Sequence, residues 1–370
     1  MSIWRFHNPV RVHFGAGSID HIADAIASRP WLLVTHPDAP LQPWRTRLAD
    51  LAGQPVAVID DVEPNPSLAM LQRACADFAA ATPPQVIVAL GGGSVMDSAK
   101  FLAAGHGRYD EVLSWLNRGA ALADAALPII AIPTTAGTGS ELTKWATVWD
   151  PDRDRKLSLN RDDLYPEAAF IDPLITASLP WSITLSSGLD ALSHALESIW
   201  NRNANPVTRD FAVSAARDVL AALPRLQHDL TDGEARIVLA RGAMRAGLAF
   251  SNTQTALAHN ISYPITLRHG VPHGIACSFC LPEVMLAAIG VDPDCDAALE
   301  SIFGNLADAP GTLRQALTML GVSGDPQGFG VDAAEWAGIV ADGFAGPRGR
   351  NFIGRLDRFP GLTTPQGARA

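Results

Sequence analysis

Four short runs built on Val, Ile and Leu constrain this chain more than any other feature. They are WLLVTHP (31–37), PVAVID (55–60), VIVALGGGS (86–94) and PIIAIPTT (128–135). Helical stretches such as SLAMLQRACADFAAAT (67–82) lie between them. A strand whose apolar residues are consecutive has no wet face, so it belongs in a parallel sheet covered by helices on both sides. After about residue 180 the texture changes. LSSGLDALSHALESIW, TRDFAVSAARDVLAALPRL and GEARIVLARGAMRAGLAFSNTQTALAHNISYPI all carry helical spacing, and strand-like runs largely disappear. The expectation is an α/β domain with a parallel sheet over residues 1–180 and an all-helical domain over 181–370.

Composition agrees with two folded domains. The chain has 370 residues, 48% of them hydrophobic and 18% charged, enough for a real core and too little charge for a disordered chain. A net charge of −10 argues against an extended nucleic-acid surface. LADAALPIIAIP is too short to span a bilayer, and the opening MSIWRFHNPVRVHFG has no apolar signal core. Cys75, Cys277, Cys280 and Cys295 are too few for a disulfide scaffold, and Cys277 and Cys280 form a lone CxxC read as buried helix residues. The expected setting is soluble and cytoplasmic. The expected partners are a small-molecule substrate and further copies of the chain, as a homodimer or larger homo-oligomer, with neither nucleic acid nor membrane.

Two clusters lie at strand ends. The strand VIVAL runs into Gly91, Gly92, Gly93 and Ser94 and then into a helical pattern holding Asp97 and Lys100. Glycines at a strand-to-helix turn let backbone N–H groups approach a phosphate, and the helix N-terminus adds a favourable field. The same glycines also suit a plain tight turn. The second cluster, PTTAGTGSE, places Thr134, Thr135, Thr138 and Ser140 after the strand PIIAI, where their hydroxyls can bond a ligand lying across the sheet edge.

A third group lies in the helical half. Asp190 and His194 are four apart in GLDALSHALE and share one helix face. His259 and His273 follow in LAHNISYPITLRHGVPHG. Three imidazoles and one carboxylate can enclose a divalent first-row metal and leave room for a substrate oxygen. Taken singly, each of these residues reads equally well as a surface or satisfied core group.

GGGSVMDSAK, IPTTAGTGSE, GLDALSHALE and the His-x13-His segment ending in VPHG occur in that order, together with Pro64-Asn65-Pro66 and IDPLITASLP. In combination they resemble the iron-containing (group III) alcohol dehydrogenase family over nearly the whole chain. The resemblance implies a dehydroquinate synthase-like fold, with an N-terminal dinucleotide-binding domain and a C-terminal helical domain. It also implies Fe(II) or Zn(II) on Asp190, His194, His259 and His273, and NADH or NADPH as cofactor. Gly91 to Ser94 with Asp97 become the pyrophosphate loop. Thr134, Thr135, Thr138 and Ser140 become cofactor contacts, and Lys156 a lysine near the cofactor. Lysine is scarce here, with only Lys100, Lys144 and Lys156.

Two positions depart from the family pattern. Where many members carry a further His, four residues after His259, this chain has Tyr263, whose ordinary pKa near 10 makes it a poorer relay at neutral pH. Tyr263 and His269 are the candidate catalytic groups. At the strand end VTHPD, His36 occupies the place where NAD-preferring members commonly have Asp, and Asp38 follows two residues later. That leaves NAD and NADP both open.

The implied reaction is hydride transfer between a nicotinamide and an aldehyde or alcohol, assisted by a Lewis acid. GPRGRNFIGR (346–355) gathers Arg348, Arg350 and Asn351 in a stretch that borders the active site in the family, and Arg268 flanks the histidine segment. Arginine suits bidentate binding of carboxylate, sulfonate or phosphonate. The alternative is a solvated basic loop. These residues, with Lys144, are the candidate substrate contacts. FHNPVRVHFG and SYPITLRHGVPHGIACSF resemble the branch that contains phosphonoacetaldehyde reductases. The expected substrate is therefore a small anionic aldehyde, phosphonoacetaldehyde first. A maleylacetate reductase-type enzyme and a non-catalytic metal- or nucleotide-binding sensor are the other readings.

Overall fold

Strand β1 (Arg11–Phe14), helix α1 (Ile22–Ile26), β2 (Trp31–Val34), α2 (Gln42–Ala52), β3 (Ala57–Ile59), α3 (Leu68–Ala80) and β4 (Val86–Gly91) begin an α/β alternation. It continues through α4 (Gly93–Gly105), α5 (Tyr109–Arg118), β5 (Ile129–Pro133), β6 (Trp145–Asp150), β7 (Arg155–Asn160) and β8 (Ala168–Ile171). The structure is a computed structural model that describes residues 3–122, 124–153 and 155–360. The chain divides into two compact units. One is Asn8–Leu179, and the other runs from Pro180 and includes residues 3–7.

In the first unit six strands form a parallel sheet in the order β1-β8-β5-β4-β2-β3. Every residue of β2, β4, β5 and β8 is buried, as their uninterrupted apolar sequences require. Trp31, Leu33, Val86, Val88, Leu90, Ile130, Ile132 and Phe170 lie in one core cluster with Ile19, Ile22 and Leu48. Burial of each large side chain stabilises the unit by about 1.5–3 kcal/mol. Ser67 caps α3 by accepting from the Met70 N–H, and Met70, Leu71, Ala74, Cys75 and Phe78 form its buried stripe. β3 extends the sheet beyond β2, and the chain then returns to place β4 on the other side of β2. That reversal creates a switch point at the carboxyl ends of β2 and β4, where open α/β sheets bind ligands. An antiparallel pair, β6–β7, lies outside the sheet.

The second unit is built from helices, with a single isolated bridge between Asn201 and Phe352 among its described residues. Its elements are α6 (Trp181–Ile199), α7 (Pro206–His228), α8 (Gly233–Thr253), α9 (Leu257–His269) and α10 (His273–Ser278). They continue with α11 (Leu281–Ala288), α12 (Pro293–Phe303), α13 (Ala309–Met319) and α14 (Ala333–Ala345). Asn205 and Thr208 close a capping box at the start of α7, with Pro206 in the first turn. α6 packs against α7, α8 and α10. Residues 3–7 group with these helices and not with the sheet. The His7 N–H donates to Asn252 Oδ1 at 2.8 Å, and Phe6 meets Phe211 with ring centroids 5.8 Å apart. The main division between the units falls between Leu179 and Pro180, and the start of the chain belongs to the helical unit. No described helix is long and apolar enough to cross a membrane.

Candidate functional site

The helical unit brings Asp190, His194, His259 and His273 together from three helices. Asp190 and His194 lie on successive turns of α6, His259 in the first turn of α9, and His273 is the first residue of α10. The atoms that converge are one carboxylate oxygen and three Nε2 nitrogens. Asp190 Oδ1 is 3.8 Å from His194 Nε2, 3.4 Å from His259 Nε2 and 3.8 Å from His273 Nε2, and the His194 and His259 Nε2 atoms are 3.1 Å apart. Asp190, His194 and His259 are buried, whereas the His273 side chain is 39% exposed.

Glu197, one turn beyond His194, organises this arrangement. Its fully buried carboxylate accepts from the backbone N–H groups of Ala256, Ala258 and His259 at 2.7, 2.5 and 3.3 Å. It thereby caps α9, whose own N-cap residue Ala256 offers no side-chain acceptor. The same carboxylate takes His259 Nδ1–H at 2.7 Å. In the neutral ring that bond places the proton on Nδ1 and the Nε2 lone pair toward the cluster, the outer-shell pattern of a metal-ligating histidine. His194 is held flat on Phe250, with centroids 3.9 Å apart and planes within 6°.

Electrostatics favour a cation here. Burial alone would push the Asp190 carboxyl up, but the His194, His273 and His259 imidazoles hold it well below the ordinary carboxylate range. Burial disfavours charge on His259, yet Cys277, Glu197 and Asp190 together raise its imidazole well above the usual histidine range. A buried site that draws positive charge, with three imidazole nitrogens and one carboxylate oxygen as donors, fits a divalent first-row metal.

α10 approaches α6 so closely that only glycine fits at 274. A Cβ there would lie 1.7 Å from the Ser186 carbonyl oxygen. This approach carries His273 and, one turn later, Cys277 onto Asp190. Asp190, His259, His273 and Cys277 are the four described residues whose donor atoms all lie within 4.8 Å of one another. Cys277 and Glu197 were absent from the sequence-derived candidates. Each stood four or three residues from a candidate histidine, which is the signal that a same-face search would have used. The CxxC pair forms no disulfide, and Cys280 is simply buried.

The other candidates of this unit are placed less uniformly. The Tyr263 ring stacks parallel to His273, with centroids 6.2 Å apart. It lines an open cavity of about 500 Å³ with Asn260, Arg268, Glu335 and Asp342. Arg268 lies 3.6 Å from Glu335, so this cavity is not an anion site of one sign. His269 ends α9, about 15 Å of helix from His259, and its Nε2 lies 3.1 Å from both Glu335 oxygens. It pairs with Glu335 and not with the Asp190–histidine cluster. Arg348 donates to Gln254 Oε1 and Asn351 to the Thr255 carbonyl, so both brace the loop that leads into α9. Arg350 is exposed and reaches only the Ala345 carbonyl at 3.4 Å. The three do not converge on one point.

In the α/β unit, Gly91–Ser94 and the threonine loop form one surface, because Gly91 and Pro133 are paired at the ends of β4 and β5. Thr134 N–H bonds to the Gly91 carbonyl. A Cβ on Gly92 would lie 3.3 Å from Thr135 Oγ1, and one on Gly93 would lie 2.9 Å from the Thr138 side chain. α4 starts at Gly93 with no side-chain cap, which leaves its first N–H groups for an anion. His36 and Asp38, just past β2, pair with each other at 2.9 Å.

Asp97, half-buried, and Ser140, buried, bond to each other. Asp97 accepts from Ser140 Oγ and the Thr147 N–H, both at 3.0 Å. Lys100, fully buried, donates to the Ser140 carbonyl, Ser140 Oγ and the Trp145 carbonyl at 2.7–2.9 Å. These groups tie α4 to the threonine loop, so their contribution is to hold the two loops in register. Lys156 lies 5.6 Å over the Trp149 ring, and Lys144 pairs with Asp162 at 2.5 Å.

Comparison with known proteins agrees with both halves of this description. The model for iron-containing alcohol dehydrogenase matches residues 9–173, and that for the C-terminal part of the Fe-containing alcohol dehydrogenase family matches residues 184–325. The chain belongs to the iron-containing alcohol dehydrogenase family. It is therefore an oxidoreductase acting on CH–OH groups. Phosphonoacetaldehyde reductase of Streptomyces viridochromogenes is 38% identical over 253 residues, 66% of this chain and 63% of that one. Long-chain-alcohol dehydrogenase 1 of Geobacillus thermodenitrificans is 33% identical over 77% of this chain and 73% of its own. Among solved structures, sulfoacetaldehyde reductase from Bifidobacterium kashiwanohense in complex with NAD+ superposes with a TM-score of 0.89, at 28% identity and 96% coverage of both chains.

Proposed function

We propose that this alcohol dehydrogenase works as a metal-dependent, NAD(P)H-linked reductase of a small anionic aldehyde, with phosphonoacetaldehyde the first candidate and sulfoacetaldehyde the second. The observation that carries the metal-dependent part is the convergence of three Nε2 atoms on Asp190 Oδ1, with Glu197 holding the proton of His259 on the opposite nitrogen. The substrate class is supported by the names of two relatives, both of which act on a two-carbon aldehyde bearing an acidic oxyanion group. The four cysteines are unpaired, in keeping with a reducing compartment.

A divalent ion on these donors supplies a Lewis acid that stabilises negative charge developing on the aldehyde oxygen. Asp190 contributes the only anionic oxygen among the expected ligands. His194 and His259 are locked in orientation by Phe250 and Glu197, and His273 stands at the exposed side of the cluster, open to a substrate. Tyr263, stacked beside His273, is the group assigned to pass a proton to the product oxygen through its hydroxyl. In the other unit, the N–H groups of Gly92–Ser94 at the start of α4 bind the pyrophosphate, and Thr134, Thr135, Thr138 and Lys156 complete the nucleotide contacts. His36 and Asp38 meet the ribose, where an imidazole paired with a carboxylate accepts either a hydroxyl or a phosphate less selectively than a lone Asp. Arg348 is the first candidate to hold the anionic tail, since it is half-buried and its partner Gln254 is neutral.

NADH and NADPH oxidation across a panel of phosphonoacetaldehyde, sulfoacetaldehyde, propanal and butanal tests the reading. The expected result is a preference for the two anionic aldehydes. Equal efficiency on propanal and phosphonoacetaldehyde would overturn the substrate assignment.

A further inference from the structure

We propose that Gln254 is a positioning residue for substrate specificity: it holds the Arg348 guanidinium by a neutral acceptor and so keeps that positive charge uncompensated for the anionic tail of the aldehyde. The inference rests on the anionic-aldehyde reading above and adds to it the residue that aims the cation. Gln254 directly follows α8 with φ 64° and ψ 173°, a region of backbone space that belongs almost wholly to glycine. Glycine would serve the turn alone without strain, so the side chain is the reason for a glutamine here. The fold over-determines the conformation. The Gln254 N–H donates to the Phe250 carbonyl at 2.7 Å, and the Gln254 carbonyl accepts from Asn201 Nδ2 at 3.1 Å and Thr253 Oγ1 at 3.0 Å.

The strained turn grips the 348–351 segment at two points. Arg348 Nη1 donates to Gln254 Oε1 at 2.5 Å, and Asn351 Nδ2 donates to the Thr255 carbonyl at 2.9 Å. The Arg348 side chain is half-buried and, among the described residues, forms no ion pair. Other arginines of the helical unit are neutralised: Arg241 and Arg245 share Asp218, and Arg268 faces Glu335. A carboxylate at 254 would cancel the Arg348 charge in the same way, whereas an amide oxygen fixes the guanidinium and leaves its charge to act on a ligand. Pro347, directly before Arg348, lines the same cavity as Tyr263, and the Tyr263 ring stacks on His273. The cation is thus carried by the wall of the cavity that adjoins the exposed imidazole of the cluster.

The test is steady-state kinetics of the full-length wild type, Gln254→Glu and Gln254→Gly on phosphonoacetaldehyde and propanal at saturating cofactor. Glycine suits this backbone, so Gln254→Gly keeps the fold while losing the acceptor. In both variants the ratio of kcat/KM for phosphonoacetaldehyde to that for propanal falls by about ten- to a hundredfold, and the fall lies in the KM for phosphonoacetaldehyde and not in its kcat. Gln254→Glu is the sharper arm. A residue that only braces the loop gains an ion pair to Arg348 from this change and keeps its kinetics, whereas one that leaves Arg348 uncompensated loses the anionic substrate. A wild-type ratio retained in either variant, including a parallel fall on both aldehydes, overturns the inference and leaves the anionic-aldehyde reading intact. A wild type that does not prefer phosphonoacetaldehyde to propanal overturns both.

Discussion

Glu197→Gln tests the physical core of the site without touching a proposed ligand. Each carboxylate oxygen accepts two bonds: Oε1 from the Ala258 and His259 N–H groups, Oε2 from Ala256 N–H and His259 Nδ1. An amide keeps the shape but replaces one oxygen with a donor, so two of the four bonds are lost and two N–H groups face an NH2. Bonds to a charged group contribute about 1.5–3 kcal/mol each, so the loss is roughly 3–6 kcal/mol if additive. At about 2–4 °C per kcal/mol for a unit of this size, the melting temperature falls by roughly 6–24 °C. If the amide nitrogen turns toward His259, the imidazole proton moves to Nε2, where it blocks the position facing Asp190, and metal affinity drops by about 10–100-fold. Differential scanning calorimetry with and without chelator, and Zn(II) competition titration, measure the two effects separately. A variant with wild-type melting temperature and Zn(II) affinity would refute the role of Glu197 as both cap and orienter.

Further outcomes follow from the same geometry. Gly274→Ala puts a methyl carbon 1.7 Å from the Ser186 carbonyl, so α10 must move and metal content should fall well below wild type by elemental analysis. Gly92→Val should raise the cofactor KM sharply, because the branched side chain meets Thr135 and fills space at the phosphate loop, whereas an unchanged KM would mean that the glycines serve only the turn. Burial pushes the Glu141 carboxyl up to about 7, so the folded state binds this proton more tightly than the unfolded one; stability of the α/β unit therefore falls as pH rises from about 4.5 to 7, and Glu141→Gln should remove that part of the slope in pH-dependent melts. Arg348→Ala should lower kcat/KM on phosphonoacetaldehyde by about one to two decades while sparing propanal, from a charge-assisted bond of roughly 1.5–3 kcal/mol; an equal fall on both would mark Arg348 as a brace for the 254–255 loop alone.

The sheet was legible because its central strands are buried on both faces, so apolar residues run without a break through Leu32, Val88 and Ile130. The edge strand β1 and the strand β8 escaped notice. RVHF is half-exposed and carries polar residues, and AAFI is short and alanine-rich, so neither makes a strong run. In β6 buried positions alternate with half-buried ones, and in β7 only Leu159 is buried, so the pair gives no continuous signal. Asp190, His194, His259 and His273 were legible as an ordered motif set. Glu197 was not, because a glutamate on a helix normally reads as a solvated residue, and only the fold reveals that it faces three backbone N–H groups. Lys100 shares a motif with the phosphate loop but is fully buried behind it, a distinction of side-chain direction that spacing alone does not carry.

The central claim is that the convergent Asp/His cluster holds a metal on which aldehyde reduction depends. The most direct measurement strips the full-length protein with chelator, counts residual metal, and follows NADH and NADPH oxidation with phosphonoacetaldehyde as Fe(II) or Zn(II) is added back. The account predicts negligible turnover in the stripped protein and activity that rises in proportion to bound metal up to one ion per chain, with Asp190→Ala neither binding the ion nor recovering. Full turnover in metal-free protein, or one bound ion per chain with no oxidation of either cofactor, would contradict it.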